Sequence, residues 1–524
     1  MSHEHVLIAG QWRAATASQT FQAHDPKTNE PLADTYPVSA WADCDAALTS
    51  AQEASDTLRT VKPATIAAFL EDYAQRIEAR ADEICALANN ETGLPLEPRL
   101  KVVELPRTTN QLRAAAVAAR DQHWTRPVID TATNIRTQLG PIGPVLVFGP
   151  NNFPLAFGSV SGGDFAAAIA AGNPVIAKAH PLHPGTTKLL AEEAHAAAQT
   201  AGLPAGTVQL LYNVDFADGE RLVQDPRLAA VAFTGSRNGG LKLKAAADAV
   251  GKPIFLELGS VNPVVMLPGA LAERSEAIVT EFVGSCLMGT GQFCTNPGLV
   301  LLPDGPDADA FADAVVAGFA AAPCGVLFSA GGLATLEQSL AELTKAGATV
   351  RTGGAKNDAA NSHQNTVLEV RGSAFVEAAA TFNQEAFGNA TLIVRTSSVD
   401  ETRAVIRALE GNLTGCIYSS TNGDDDAAYD ALAPDLRQKV GRLINDKMPT
   451  GVAVSPAMNH GGPFPATGHP GFTAVGIPAS LTRFAMLQCY DGVREHRLPS
   501  ALSNANPDGV WRSVDGTMTQ KPLS

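Results

Sequence analysis

Four short apolar runs, "PVLVFG", "PVIAKA", "AAVAFTG" and "PIFLELG", punctuate residues 141–259, with helical, alanine-rich stretches between them. Runs this short, apolar on both faces and bounded by glycine or proline, read as strands buried on two sides, and the intervening helices supply the cover. The pattern predicts a doubly wound α/β domain. Amphipathic segments at residues 45–59 and 64–90 predict helices upstream of it. A second series follows Asn262: a helix over 275–288, the strand "GLVLLP", a helix over 308–321, the strand "ATLIVR" and a helix over 400–408. Two stretches stand outside both series. "RPVIDTATNIRTQLG" (126–140) alternates like a β-hairpin, and "SLTRFAMLQCY" (480–490) reads as an edge strand. Edge strands need a partner, so an inter-subunit sheet is expected.

A chain of 524 residues is long enough for two or three domains with sizeable cores. Its net charge is −15 and its basic residues are scattered, which argues against nucleic acid and anionic membrane surfaces as partners. The opening "MSHEHVLIAGQW" has no basic region followed by an apolar one, and no run of eighteen apolar residues occurs, so a cytoplasmic location is expected. Seven dispersed cysteines without a CxxC pair read as reduced thiols.

Chemistry gathers at the ends of the predicted strands, where open α/β sheets place ligands. In "GPNNFPLAF", Asn152 sits on a turn where its amide either donates to a developing oxyanion or caps the next helix. In "PVIAKAHPLHPGT", Lys178 ends a strand and either reaches a cofactor ribose or phosphate or extends into solvent. His180 and His183 are flanked by Pro181 and Pro184 and have no third ligand, so no metal site is expected. "AFTGSRNGG" places Gly235 and Ser236 at a strand–turn–helix junction suited to a pyrophosphate. In "FLELGSVNP", Glu257 follows a strand, where reduced solvation would raise its pKa toward that of a general base. "MGTGQFCTNPG" sets Cys294 among glycines, and a thiolate there would be stabilised by a helix N-terminus or nearby amides. No Walker motif occurs, and "GSVSG" lacks the serine of a hydrolase elbow.

With "LELG", "GQFCTNPG" and "QEAFGNA" following the Asn, Lys and Gly-rich motifs in order, the chain resembles the aldehyde dehydrogenase superfamily from about Ile8 to Tyr490. The resemblance implies an α/β fold with a Rossmann-like cofactor domain (1–123 and 141–259) and an α/β catalytic domain (260–479). It also implies oligomerisation strands (124–140 and 480–495), followed by a tail (496–524). By the same resemblance Cys294 is the nucleophile, Glu257 the general base and Asn152 the oxyanion donor. Lys178, His180, Gly235, Ser236, Glu385 and Phe387 fall to an NAD or NADP cofactor. The protein is then expected to be a homodimer or homotetramer that oxidises a small-molecule aldehyde to a carboxylate through a cysteine thioester.

"KAHPLHPGT", "PTGVAV" and "HGGPFPAT" resemble a bacterial subgroup that acts on 2,5-dioxopentanoate or on fatty aldehydes. An anionic semialdehyde needs a cation in the tunnel. Arg107, on the helix before the hairpin, is the candidate, with a surface salt bridge as its alternative role. Phe153 and Phe464 are candidate tunnel walls. The carboxylate that usually follows the cofactor lysine is missing, since Lys178 is followed by Ala179, His180 and Pro181, and this admits NADP. The segment "NVDFADG" (213–219) offers no arginine for a 2′-phosphate, so dual cofactor use is expected. A rival substrate class is aliphatic aldehydes, and a rival function is a catalytically silent binding relative.

Overall fold

The computed structural model describes residues 3–16 and 19–523. Its first sheet runs, edge inward, Ile254–Glu257, Ala230–Thr234, Val145–Phe148, Val175–Lys178 and Val208–Leu211, all parallel. Val145, Leu146, Val175, Ile176 and Ala230 are fully buried because helices cover both faces, which is why their strands read as unbroken apolar runs. The chain winds outward from Val145–Phe148 and then reverses before Ala230–Thr234. The reversal leaves a crevice at the carboxyl ends of those two strands, as in Rossmann-like folds. An N-terminal hairpin, Val6–Ile8 and Gln11–Arg13, extends the sheet antiparallel to Val208–Leu211.

The helix expected over 64–90 is two helices, Pro63–Ala79 and Ala81–Thr92. The break falls at Arg80, whose guanidinium holds Glu83, Glu192 and Glu193 and so ties the junction to the helix Pro184–Thr200. The first turn of that helix is capped from outside. Buried Glu91 accepts from the Gly185 and Thr186 amides, each at 2.8 Å, and from the Thr186 hydroxyl at 2.6 Å.

The second sheet runs Thr349–Thr352, Thr366–Arg371, Ala390–Thr396, Leu299–Pro303, Pro263–Met266, Asn412–Tyr418 and Val440–Asn445. All are parallel except the first. Two apolar layers pack its faces, one around Leu336 and Phe375 and one around Phe282 and Phe311.

The hairpin Val128–Asp130 and Ile135–Pro141 forms as its alternation predicts, and Ala485–Asp491 pairs antiparallel with it, Gln488 opposite Gln138. The edge strand is shorter than expected, because residues Ala479–Phe484 form a 3₁₀ turn instead. The tail joins this sheet: Arg512–Val514 lies parallel to Val128–Asp130, and Thr517–Thr519 folds back on it. Fully buried Arg512 anchors the tail through the carbonyls of Ala501, Ser503, Asn504 and Lys521. No helix of the described residues is long and apolar enough to cross a membrane.

Candidate active site

The two large sheets meet end to end. Asn152, Lys178, Gly235 and Glu257 lie at or beyond the carboxyl ends of first-sheet strands, whereas Asn262, Cys294 and Glu385 precede strands of the second sheet. The cleft thus combines one sheet's exits with the other's entrances.

Cys294 is held by a turn that few sequences allow. Gly289, Thr290 and Gly291 all have left-handed φ values, 57°, 60° and 69°. A Cβ on Gly291 would lie 2.0 Å from the Gly388 carbonyl oxygen. Thr290 is β-branched, and such a residue in this region carries about 1–3 kcal/mol of strain. Gln292 locks the turn, donating to the Gly289 and Val326 carbonyls and accepting from the Phe328 amide. Asn262 then donates to the Cys294 carbonyl at 2.9 Å while accepting from Thr414 of the adjoining strand. Of the helix N-terminus or nearby amides expected beside the thiol, the local chain supplies no α-helix start: the preceding helix ends at Leu287, a 3₁₀ turn spans Met288–Gly291, and a strand follows at Leu299. Burial and the neighbouring Glu257 carboxylate push the thiol well above its ordinary pKa, with Arg107 pulling the other way.

His460, which sequence reasoning passed over, joins the two reactive groups. Its Nε2 lies 2.6 Å from Glu257 Oε1 and 3.5 Å from Cys294 Sγ. One ring nitrogen therefore faces both a thiol and a carboxylate, and the three groups share one desolvated space. The His460 amide donates to Thr473 and its ring packs on Phe157 at 5.7 Å. "HGGPFPAT" carries the subgroup resemblance, yet a histidine 166 residues beyond the cysteine has no local spacing that reveals this role. Phe464, in the same segment, is 56% exposed and lies outside the aromatic group of Phe153, Phe157 and Phe293.

Asn152 does not cap a helix: its Nδ2 donates to the Gln292 carbonyl at 3.0 Å, across the cleft beside Cys294. One Nδ2 hydrogen remains for a further acceptor. The Cys294 amide donates to no acceptor among the described residues. Arg107 is half-buried, its Nε and Nη2 shielded from solvent, and makes no salt bridge among the described residues. It donates to the Val452 carbonyl and lies 5.0 Å from the Phe157 ring and 5.9 Å from that of Phe153, with Nε and Nη2 unpartnered.

On the far side of the cleft, Glu385 and Phe387 line a cavity with Ser260, Gly291 and Thr391. Burial raises the Glu385 carboxyl to about 8. Gly259 leaves the space Glu385 occupies, since a Cβ there would fall 2.1 Å from its Oε2. Desolvation lowers the Lys178 ammonium to about 8, and no carboxylate pairs with it among the described residues. The Ser236 hydroxyl caps the helix Arg237–Asp248 by accepting from the Gly239 amide, and its O–H remains free to donate, so the Gly235–Ser236 turn offers both backbone and the serine side chain. The His180 and His183 rings stack at 5.5 Å; His180 Nδ1 accepts from the Leu182 amide, and His183 contacts the Pro150 carbonyl and Thr187. An unpaired strand-end lysine, a glycine turn opening a helix and a sequestered carboxylate together suit a dinucleotide.

A thiol, a carboxylate, an imidazole and a side-chain amide thus meet across the cleft, and the sequence comparisons give the class of protein. The chain matches the aldehyde dehydrogenase family model over residues 12–459 and belongs to that family. It is an NAD(P)-dependent oxidoreductase that converts an aldehyde to a carboxylate. Alpha-ketoglutaric semialdehyde dehydrogenase 2 of Azospirillum brasilense is 42% identical, covering 97% of this chain and 98% of that protein. Alpha-ketoglutaric semialdehyde dehydrogenase of Acinetobacter baylyi is 34% identical, covering 98% of each. The lactaldehyde dehydrogenase structure from Escherichia coli shares the fold, with a TM-score of 0.81 and 22% identity over 93% of this chain and 98% of that one.

Proposed function

We propose that the enzyme oxidises 2,5-dioxopentanoate to 2-oxoglutarate. The observation that carries this is Arg107, a guanidinium buried against two phenyl rings with two nitrogens unpartnered, where an anionic substrate supplies the missing acceptor. The two relatives named for this semialdehyde, matched end to end, support the same substrate.

In the reaction, the Cys294 Sγ proton passes to the adjoining Glu257–His460 pair and Sγ attacks the aldehyde carbon. Asn152 Nδ2 and the Cys294 amide receive the resulting oxyanion. Lys178, the Gly235–Ser236 turn, His180, Glu385 and Phe387 would hold NAD(P), which supplies the hydride acceptor. Glu257 then takes a proton from water, hydroxide adds to the thioester carbon, and the thiolate leaves with the carboxylate formed. We further infer that residues up to Gly259, less the hairpin, serve the cofactor and that residues 260–479 carry the nucleophile. The strand Ala485–Asp491, with Met486 and Leu487 exposed, supports self-association. Seven unpaired cysteines favour a reducing compartment such as the cytoplasm.

Phe153, Phe157 and Phe293 make the tunnel partly apolar, which favours aliphatic aldehydes as the second reading. Initial rates with semialdehydes and neutral aldehydes of matched length, each with NAD and NADP, separate the two. Arg107→Met is expected to raise KM for 2,5-dioxopentanoate by about 10- to 100-fold, the scale of a lost charged hydrogen bond, and to leave KM for a neutral aldehyde in place. An unchanged KM for the anion in a folded variant overturns the assignment.

A further inference from the structure

The loop that carries Asn152 has little regular structure of its own. Between the strand ending at Phe148 and the helix beginning at Gly163 it runs through bends and turns, so its own backbone ladder cannot fix the amide. Two side chains from the segment Leu96–Glu104 reach it instead. Arg99, its side chain 10% exposed, donates through Nη2 to the Asn152 carbonyl at 2.9 Å and pairs through Nη1 with Glu104. Fully buried Glu104 accepts from the amides of Leu155 and Ala156 at 2.9 and 3.0 Å. One buried pair thus grips the loop at Asn152 and again three residues on.

The same guanidinium spans the cleft. It lies 4.3 Å from the Phe153 ring centroid and 5.4 Å from that of Phe293, the residue before Cys294. Those rings meet edge to face at 5.2 Å and 90°. Arg99 therefore touches the neighbour of each half of the oxyanion pocket. Its charge is met by Glu104, whereas Arg107 on the helix that follows meets no carboxylate. A sealed ion pair is a costly way to fill a core, since apolar side chains of equal volume do so with less desolvation. Its retention beneath Asn152 calls for a role beyond packing.

We propose that Arg99 and Glu104 are positioning residues that set the distance between the Asn152 amide and Cys294; the proposal rests on the reading of Asn152 as oxyanion donor. The test is a double-mutant cycle of Asn152→Ala and Arg99→Met, read as kcat and KM for the aldehyde and as the transient rate of NAD(P)H formation. Asn152→Ala is expected to lower kcat by about 10²- to 10³-fold, as for other oxyanion donors. Arg99→Met is expected to lower kcat by up to about 10²-fold, the effect of a misplacement near 1 Å, with KM moving by less than about threefold. In the Asn152→Ala background Arg99→Met should add almost nothing, and Arg99→Lys should restore part of the rate.

If the two losses multiply, the clamp is overturned while Asn152 keeps its role. If Asn152→Ala leaves kcat intact, the oxyanion reading itself fails and takes the clamp with it. Should Arg99→Met give no folded protein, Arg99→Lys goes through the same cycle: a loss that vanishes in the Asn152→Ala background supports the clamp, and one that multiplies overturns it.

Discussion

Of the carboxylates sealed inside the first α/β unit, Glu91 at 1% exposure and Glu257 at 4% have surroundings that differ in kind. Glu91 has three donors from one helix start, so both its oxygens are matched. Glu257 has His460 on one oxygen and no donor on the other. Leaving a buried acceptor unmatched costs about 1–3 kcal/mol, so a fold selected for stability alone would have closed the second site as it closed the first. Burial is common to both residues. What separates a structural carboxylate from a reactive one here is the open acceptor and the thiol within reach of the same imidazole.

The sharpest way to break this contrast begins with the nucleophile. Cys294→Ala is expected to lower turnover by about 10⁴-fold or more while the dissociation constant of NAD(P), followed by fluorescence, stays put; surviving turnover would remove the reactive site from this cleft. Next comes the pair itself. Glu257→Gln should lower steady-state kcat by about 10²- to 10⁴-fold while preserving a first-turnover burst of NAD(P)H, because acylation precedes the water step. Glu91→Gln should keep kcat within about twofold yet cost about 1–3 kcal/mol of stability, since an amide donor then faces the helix amides. Equal kinetic losses in the two variants would erase the distinction.

His460→Phe is expected to slow alkylation of Cys294 at neutral pH by about 10²-fold, with the rate recovering as pH rises. The thiol is already held high by burial and Glu257, so removing the imidazole takes away one of the few acceptors beside it. Parallel pH profiles for variant and parent would deny His460 this part. The smallest effect concerns Lys178, whose ammonium is lowered to about 8. It is charged below that value and neutral above it, so KM for NAD(P) should rise as pH passes upward through about 8, by about fivefold, the worth of one hydrogen bond. Lys178→Arg stays charged and should flatten the profile; an inflection that persists would assign it to another group.

Much of the fold was legible because buried parallel strands leave a local trace. "PVLVFG" and "PIFLELG" could be little else, and the hairpin at 126–140 announces itself by alternation. "NLTGCIY" escaped notice although Asn412–Tyr418 is fully buried, because asparagine, threonine and glycine hide an apolar-environment strand from composition. The tail offered no run long enough to read, and its strands are held by the buried Arg512, by Asn506 and by the edge of the hairpin. In the site, Asn152, Glu257 and Cys294 stood out as polar residues at element boundaries. Local sequence does not say whether a loop phenyl ring such as Phe464 turns inward, nor whether a turn serine such as Ser236 serves as a cap, a ligand or both.

By itself the sequence determined the apolar strands of the first sheet's centre, the hairpin and the candidate groups Asn152, Glu257 and Cys294, since each depends on residue type at a local boundary. Only the tertiary structure decided which side chains complete the chemistry. His460 lies 203 residues from Glu257 and Arg99 lies 53 from Asn152, and no local periodicity records such separations. Those contacts exist because two sheets butt exit to entrance and draw distant loops into one desolvated space, where a proton or a charge is felt over a few ångströms.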